Sequence, residues 1–329
     1  MTRADSISKV AGGAQPDDSL LLYSVATKHY VERKSNLQIA RELGISRFRV
    51  ARLLDVGLKS GVIEPRVSLP GVQNRTMGTE LVNAFGLNQA VVSSATGDDK
   101  WRADMTAALA VSHTASLLHD GDSLGISWGR TMDAVTNAAA HLDVRFPRVD
   151  VVQLVGGVPS ESGSLEASDL VRRFAGMTGG RGIVLNAPLL VPDEKIAAGL
   201  RREKSVADAF RAGADSDVAL FSVGSWKRGL SGLREALTPH ERKDAKASGV
   251  TADVCGILLN DQGQEVESFL GPRVVTLGAM SLRQVPRRVG VVLEVGKADA
   301  LKSVLLSGLI TDIVIAEDSA KQLLRWAGK

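Results

Sequence analysis

Two rhythms of apolar residues meet near residue 79. Before that point the spacing is helical. Pro16-Asp17-Asp18 starts a first helix running to about Glu32, with Leu22, Val25 and Ala26 inward. Ile39 and Leu43 lie one turn apart on a second helix over 37–43, and Gly44 can take the left-handed conformation that stops it. Ser46 is an N-cap for a third helix, on which Val50, Leu53, Leu54 and Leu58 fall at i, i+3, i+4 and i+8. Gly61 ends that helix, and 62–67 reads as a short strand of the kind found in winged variants. The pattern predicts a tail over 1–16, a winged helix-turn-helix unit over 17–68 and a linker over 69–78, where Pro70, Gly71 and Gly78 gather.

From residue 79 onward short apolar runs alternate with helical stretches. Helices are expected at 80–85, at 103–118 and on the face formed by Met132, Val135, Ala139 and Leu142. Strands are expected at 90–93, 123–127, 151–155, 183–185, 218–221, 274–276, 289–293 and 312–315. Continuously apolar strands separated by helices imply a mainly parallel, Rossmann-like α/β sheet covered on both faces. The turn-forming residues of 258–263 predict a hairpin that adds some antiparallel structure.

Charge sharpens the division. Residues 20–66 carry nine Lys/Arg against four acids, +5, while the whole chain of 329 residues is +3, so the remainder is −2. A cationic small unit favours a polyanion partner. Arg47, Arg49 and Arg52 lie off the apolar face of the third helix, which suits base edges and phosphates in the major groove. A solvated basic face on an ordinary helical hairpin is the competing reading. The positions assigned to DNA are Gln38, Ser46, Arg47, Phe48, Arg49 and Arg52. Hydrophobic content of 44% with 23% charged residues is that of a water-soluble globular protein, no apolar run approaches a membrane span, and the N-terminus lacks a signal-peptide core. A single cysteine, Cys255, allows no intrachain disulfide; a cytoplasmic setting is expected, and Cys255 is read as a small core residue in a strand-like run.

Three strand-to-helix loops could hold a ligand, as the carboxyl ends of strands do in such sheets. The first, Gly125-Ile126-Ser127-Trp128-Gly129-Arg130-Thr131, combines close-approach glycines, two hydroxyls, a guanidinium and free amides at a helix start. A plain turn capped by Thr131 stays open. The second ends in Gly156-Gly157, which also fits a tight turn; the third holds Lys297 at the opening of a helix over 298–307. Gly290 to Lys297 fails as a nucleotide-phosphate loop, having five residues between its glycines and Ala298 where Ser or Thr is required. The five histidines show no metal-ligand spacing, and neither metal nor cofactor is expected.

Taken together, IARELGISRFRVARLL, AFGLNQAVV, GDSLGISWGRTM, VVQLVGG, NAPLLVP, ADVCG followed by DQG, and GLITDIVIAEDSA resemble the SorC family of sugar-responsive bacterial transcription regulators, from about residue 20 to the end. The resemblance implies a winged helix-turn-helix joined over 79–329 to an effector domain like sugar-phosphate isomerases. It implies a homo-oligomer, dimer or tetramer, on operator DNA, and a sugar, polyol or sugar-phosphate effector. By position it assigns the ligand to Ser127, Gly129, Arg130, Thr131, Gly156, Gly157, Asp253 and Lys297. Leu293-Glu294 departs from the family's usual glycine pair, putting a side chain and a negative charge in space normally open, which favours an uncharged ligand. Ser168-Asp169 replaces a frequent Asn-Glu. No catalytic residue is assigned. The rival class is an active isomerase-like enzyme fused to a DNA-binding segment, with Asp253 and Lys297 as acid–base groups.

Overall fold

The computed structural model describes residues 16–63, 71–158 and 167–328. The chain divides into two compact units, 1–67 and 68–329. In the first, helix α1 (Pro16–Ala26) runs on into a π-helical turn at Thr27–Val31, followed by α2 (Asn36–Leu43) and α3 (Arg47–Lys59). Ser35 and Gln38 form a reciprocal capping box at the start of α2, and Gly44 stops it at φ 67°. Ser46 caps α3 by accepting from the Arg49 amide at 3.2 Å. Val25, Ile39, Ala40, Val50, Leu54 and Ile63 make the core.

Leu58 does not belong to that core. It is exposed, and the buried position of that turn is Gly57, where an added Cβ would lie 2.5 Å from the Ile63 side chain and 3.1 Å from that of Leu22. A bulky side chain there would push the helices apart, so the smallest residue completes the apolar stripe. Most of the wing strand expected at 62–67 lies outside the described residues.

In the second unit α4 (Arg75–Phe85) begins inside the stretch expected to be linker, because Asn74 caps it by accepting from the Met77 amide at 3.1 Å. Then follow β1 (Gln89–Ser93), α5 (Asp99–Leu117), β2 (Ser123–Ile126), α6 (Arg130–His141), β3 (Asp150–Gln153), α7 (Ala167–Thr178) and β4 (Gly182–Ile183). The chain continues through α8 (Glu194–Arg202), α9 (Lys204–Ala214), β5 (Val218–Ser225), α10 (Gly232–Ala236) and α11 (Pro239–Ala247). It closes with β6 (Ala252–Val254), β7 (Ile257–Leu259), α12 (Ala279–Leu282), β8 (Arg287–Val292), α13 (Ala298–Ser307), β9 (Asp312–Ala316) and α14 (Glu317–Trp326).

Seven strands form a parallel sheet in the order β1-β9-β8-β5-β2-β3-β4, buried on both faces by large apolar clusters. The order reverses between β2 and β5: from β2 the chain moves out through β3 and β4, then returns on the other side. Ligands bind in the crevice at such a switch point. The hairpin β6–β7 continues from the far end of β5, pairing Gly224 with Asp253 antiparallel.

Two expectations for this region are corrected. Val274–Thr276 forms only isolated bridges, Leu190 with Val274 and Val155 with Thr276, and no strand. Cys255 sits in the two-residue turn between β6 and β7 and not in a strand; it and Gly256 both have positive φ, 49° and 78°, as a twist-matched hairpin turn requires. The turn expected at 258–263 is present, with the Asn260 amide donating to the Gln264 carbonyl at 3.0 Å.

Candidate effector cavity and DNA-facing helix

The cavity lies where β2, β5 and β8 end. Its volume is about 260 Å³, and its lining includes Ser127, Trp128, Gly129, Arg130, Thr131, Ser222, Ser231, Asp253, Glu294 and Lys297. That is slightly below the roughly 300–1,000 Å³ usual for ligand pockets, room for a small ligand only. Gly129 turns the chain from β2 into α6 at φ 117°, a conformation that a side chain strains, and no side chain caps the helix. The start of α6 therefore faces the cavity with uncapped amides, the buried Thr131 hydroxyl beside them.

Asp253 reaches the cavity from β6 because its partner in β5 is glycine. A Cβ on Gly224 would lie 2.1 Å from the Asp253 carboxylate. The carboxylate is buried and accepts from the Ser231 hydroxyl at 2.5 Å. Burial pushes its pKa above the ordinary value, against the opposing pull of the Ser231 hydrogen bond and the Lys297 charge. Burial likewise pushes the Cys255 thiol up, so it stays protonated and serves as a small wall residue.

Lys297, 3% exposed, donates to the Val223 carbonyl at 2.7 Å and pairs with Glu294 at 2.9 Å. The Thr131 hydroxyl donates to the same Glu294 oxygen at 3.3 Å. Burial would raise the Glu294 pKa, but the Lys297 charge and hydrogen bond, with help from Arg130, bring it below the ordinary value. The Arg130 guanidinium donates to the Gly229 carbonyl, and the Gly229 amide donates to Glu235 at 2.8 Å, so the turn at 227–230 is held at the rim from both sides.

Six of the eight ligand positions expected from the sequence come together in this cavity: Ser127, Gly129, Arg130, Thr131, Asp253 and Lys297. Gly156 and Gly157 do not line it. The Gly157 backbone is hydrogen-bonded to Ala187 and Leu189, the Gly156 amide donates to the Val275 carbonyl at 3.0 Å, and a Cβ on Gly156 would sit 2.6 Å from the Pro188 carbonyl oxygen. Gly156 acts indirectly, its carbonyl accepting from the Trp128 indole at 2.8 Å and fixing the ring that forms one wall. Asp169 is exposed and lies 3.7 Å from Arg173 on its own helix, away from the cavity. Ser231 and Gly224 were not foreseen. Ser231, as the N-cap of the short α10, had a capping signature, whereas nothing local marks Gly224.

On the first unit Arg47, Phe48, Arg49 and Arg52 are exposed at the start and along one side of α3. Phe48 is 73% exposed, with the Arg47 guanidinium 5.0 Å from its ring centre. Gln38 and Ser46 are exposed too, though their side-chain oxygens already serve as helix caps.

The family described as "Putative sugar-binding domain" matches residues 72–325, most of the chain and all of the cavity. The chain belongs to the SorC family of sugar-binding regulators. It is 27% identical to the sorbitol operon regulator of Klebsiella pneumoniae over 325 residues, covering 94% of this chain and 99% of that one. It is 28% identical to transcriptional regulator LsrR of Enterobacter sp. (strain 638) over 332 residues, covering 98% and 97%. The crystal structure of full-length SorC from K. pneumoniae superposes with a TM-score of 0.69 at 24% identity over 94% of this chain and 100% of that one, which shows the fold. These relatives of the SorC-family chain are named as regulators, which supports the non-enzyme reading. Among the described residues no helix is long and apolar enough to cross a membrane, and no group of three or more His, Cys, Asp or Glu side chains could hold a metal ion.

Proposed function

We propose that this SorC-family chain is a DNA-binding transcriptional regulator of carbohydrate or polyol genes. It works in the cytoplasm as a homo-oligomer, dimer or tetramer. Its affinity for operator DNA changes when a small sugar, polyol or sugar phosphate enters the cavity. Helix α3 enters the major groove, with Arg47, Phe48, Arg49 and Arg52 toward bases and phosphates. Asp253, Ser127, Ser231 and Thr131 exchange hydrogen bonds with ligand hydroxyls, and the Trp128 ring takes an apolar face.

The observation that carries this reading is the cavity itself: a small crevice at the sheet's switch point, within the sugar-binding match, where hydroxyls and carboxylates converge. The ligand need only favour one operator-binding arrangement over another, and about 1–3 kcal/mol of coupling is typical.

Fluorescence anisotropy with DNA from upstream of the chain's own gene tests it, at two salt concentrations and across a panel of sugars, polyols and phosphate esters. Sequence-selective, salt-sensitive binding that shifts with a ligand which also raises the melting temperature is expected. Binding that ignores sequence and ligand would overturn the reading. Conversion of the stabilising ligand to product would instead favour the enzyme.

A further inference from the structure

The two cations named in the cavity lining are already engaged, Lys297 by the Glu294 carboxylate and Arg130 by the Gly229 carbonyl. The Glu294 carboxylate is held by the Lys297 ammonium at 2.9 Å and the Thr131 hydroxyl at 3.3 Å, and it feels the charge of Arg130. Thr131 and Arg130 belong to the uncapped first turn of α6, a 12-residue helix, so the positive end of that helix adds to the same field. An ammonium that is 3% exposed, a hydroxyl, a guanidinium and a helix start are the donors that recognise a phosphate group. Here they surround a carboxylate of the protein itself.

We propose that Glu294 is a built-in anion that fills the cavity's anion subsite and makes the regulator choose an uncharged polyol or sugar over its phosphate ester. This deepens the effector reading and rests on it for the nature of the ligand. A phosphate monoester would have to displace Glu294 from Lys297 or lie beside it, and like charges repel strongly at that range with little water between. A neutral polyol meets no such obstacle, because carboxylates and serine hydroxyls accept from its hydroxyls. The carboxyl groups of Asp253 and Glu235 on the remaining wall reinforce the discrimination, and among the described residues the lining holds no other cluster of positive charge.

Inorganic phosphate tests the subsite without knowledge of the sugar. Calorimetric titration of the full chain compares the wild type with Glu294→Gly, which empties the subsite, and Glu294→Gln, which keeps the shape and removes the charge. Phosphate is expected to bind each variant about tenfold or more tightly than it binds the wild type. Sorbitol and sorbitol 6-phosphate serve as a second pair of probes, the preference between them moving toward the ester by a similar factor. Circular dichroism melts establish that the variants fold; if the glycine variant does not, the glutamine variant decides alone. Tight phosphate binding by the wild type, or no gain in either folded variant, would overturn the proposal. A gain in phosphate with no polyol, sugar or ester bound by any form would uphold the subsite and sink the effector reading, so the two failures are separable.

Discussion

Arg52 on α3 and Lys297 at the cavity are both cations, and they occupy opposite circumstances. Arg52 is exposed and has no ion pair or hydrogen bond among the described residues, while Lys297 is 3% exposed and held by Glu294 and the Val223 carbonyl. A charge left in water incurs no desolvation cost and remains available to a polyanion, whose counterions it releases on binding. A charge taken out of water must be paired, and its pairing then fixes the groups around it. The first arrangement suits binding and the second suits positioning. Substituting each cation should therefore damage different properties.

The largest effect is expected at Lys297. Replacement by Met leaves Glu294 half-buried without its partner and the Val223 carbonyl without a donor. Breaking a buried pair from one side costs about 3–5 kcal/mol, to be discounted toward the lower figure because the Glu294 side chain is 28% exposed. Trp101, Trp128, Trp226 and Trp326 all lie in the second unit, so denaturant unfolding followed by tryptophan fluorescence isolates that unit. The double change Lys297→Met with Glu294→Gln should recover a large part of the loss. No loss in the single variant would mean that Lys297 is not the organiser described.

The arginines should show the converse. Arg47→Ala or Arg49→Ala is expected to weaken operator binding by about 1–3 kcal/mol where the side chain reads a base, with unfolding of the second unit unchanged. Equal weakening on every DNA sequence, with a shallower salt dependence, would reassign the residue to phosphate contact. Unchanged affinity in both would remove α3 from the groove.

How far each region could be read from the sequence follows from the same contrast. Helix α3 was legible because its stripe, its cap and its arginines are local features; the one slip, Leu58 for Gly57, arose because periodicity cannot see that Ile63 folds back to fill the space. The loop after β2 was legible for the same reason. The rest of the cavity is assembled from residues distant in sequence. Strand β5 runs past Phe221 through Ser222-Val223-Gly224-Ser225, a stretch with no apolar run to announce it, and its purpose there is to receive β6. Gly224 matters only because Asp253 lies against it, and Gly156 only because residues 187–189 do. Val274–Thr276 is apolar through burial between neighbours, which a strand pattern mimics.

Ser46 offers a smaller effect that sharpens the division. Its hydroxyl accepts the Arg49 amide at 3.2 Å, so Ser46→Ala should cost the first unit about 1 kcal/mol, read as faster hydrogen exchange in the first turn of α3. Weakened DNA binding with exchange unchanged would instead make Ser46 a contact residue.

Asp253 should move stability least, and in the opposite direction. Its pKa is raised by burial, so the folded second unit holds this proton more tightly than the unfolded chain. The associated stability is fully present below the ordinary carboxylate pKa and is lost as pH rises through the raised value. Above that raised value the ionised group is thus a burden on the fold. Asp253→Asn removes the charge, keeps the shape and can still accept from Ser231, so a gain of about 0.5–1 kcal/mol is expected wherever the wild-type carboxyl is ionised, shrinking on acidification. Glu294, with its lowered pKa, has the reverse dependence: its contribution is present above the ordinary value and lost as pH falls through the lowered one. Unfolding curves of the wild type and the Asn variant at several pH values separate the two, since the Glu294 contribution is common to both and cancels in the difference, leaving that of Asp253. An Asn variant destabilised at every pH would show that the carboxyl group is held by its neighbours more strongly than burial opposes it.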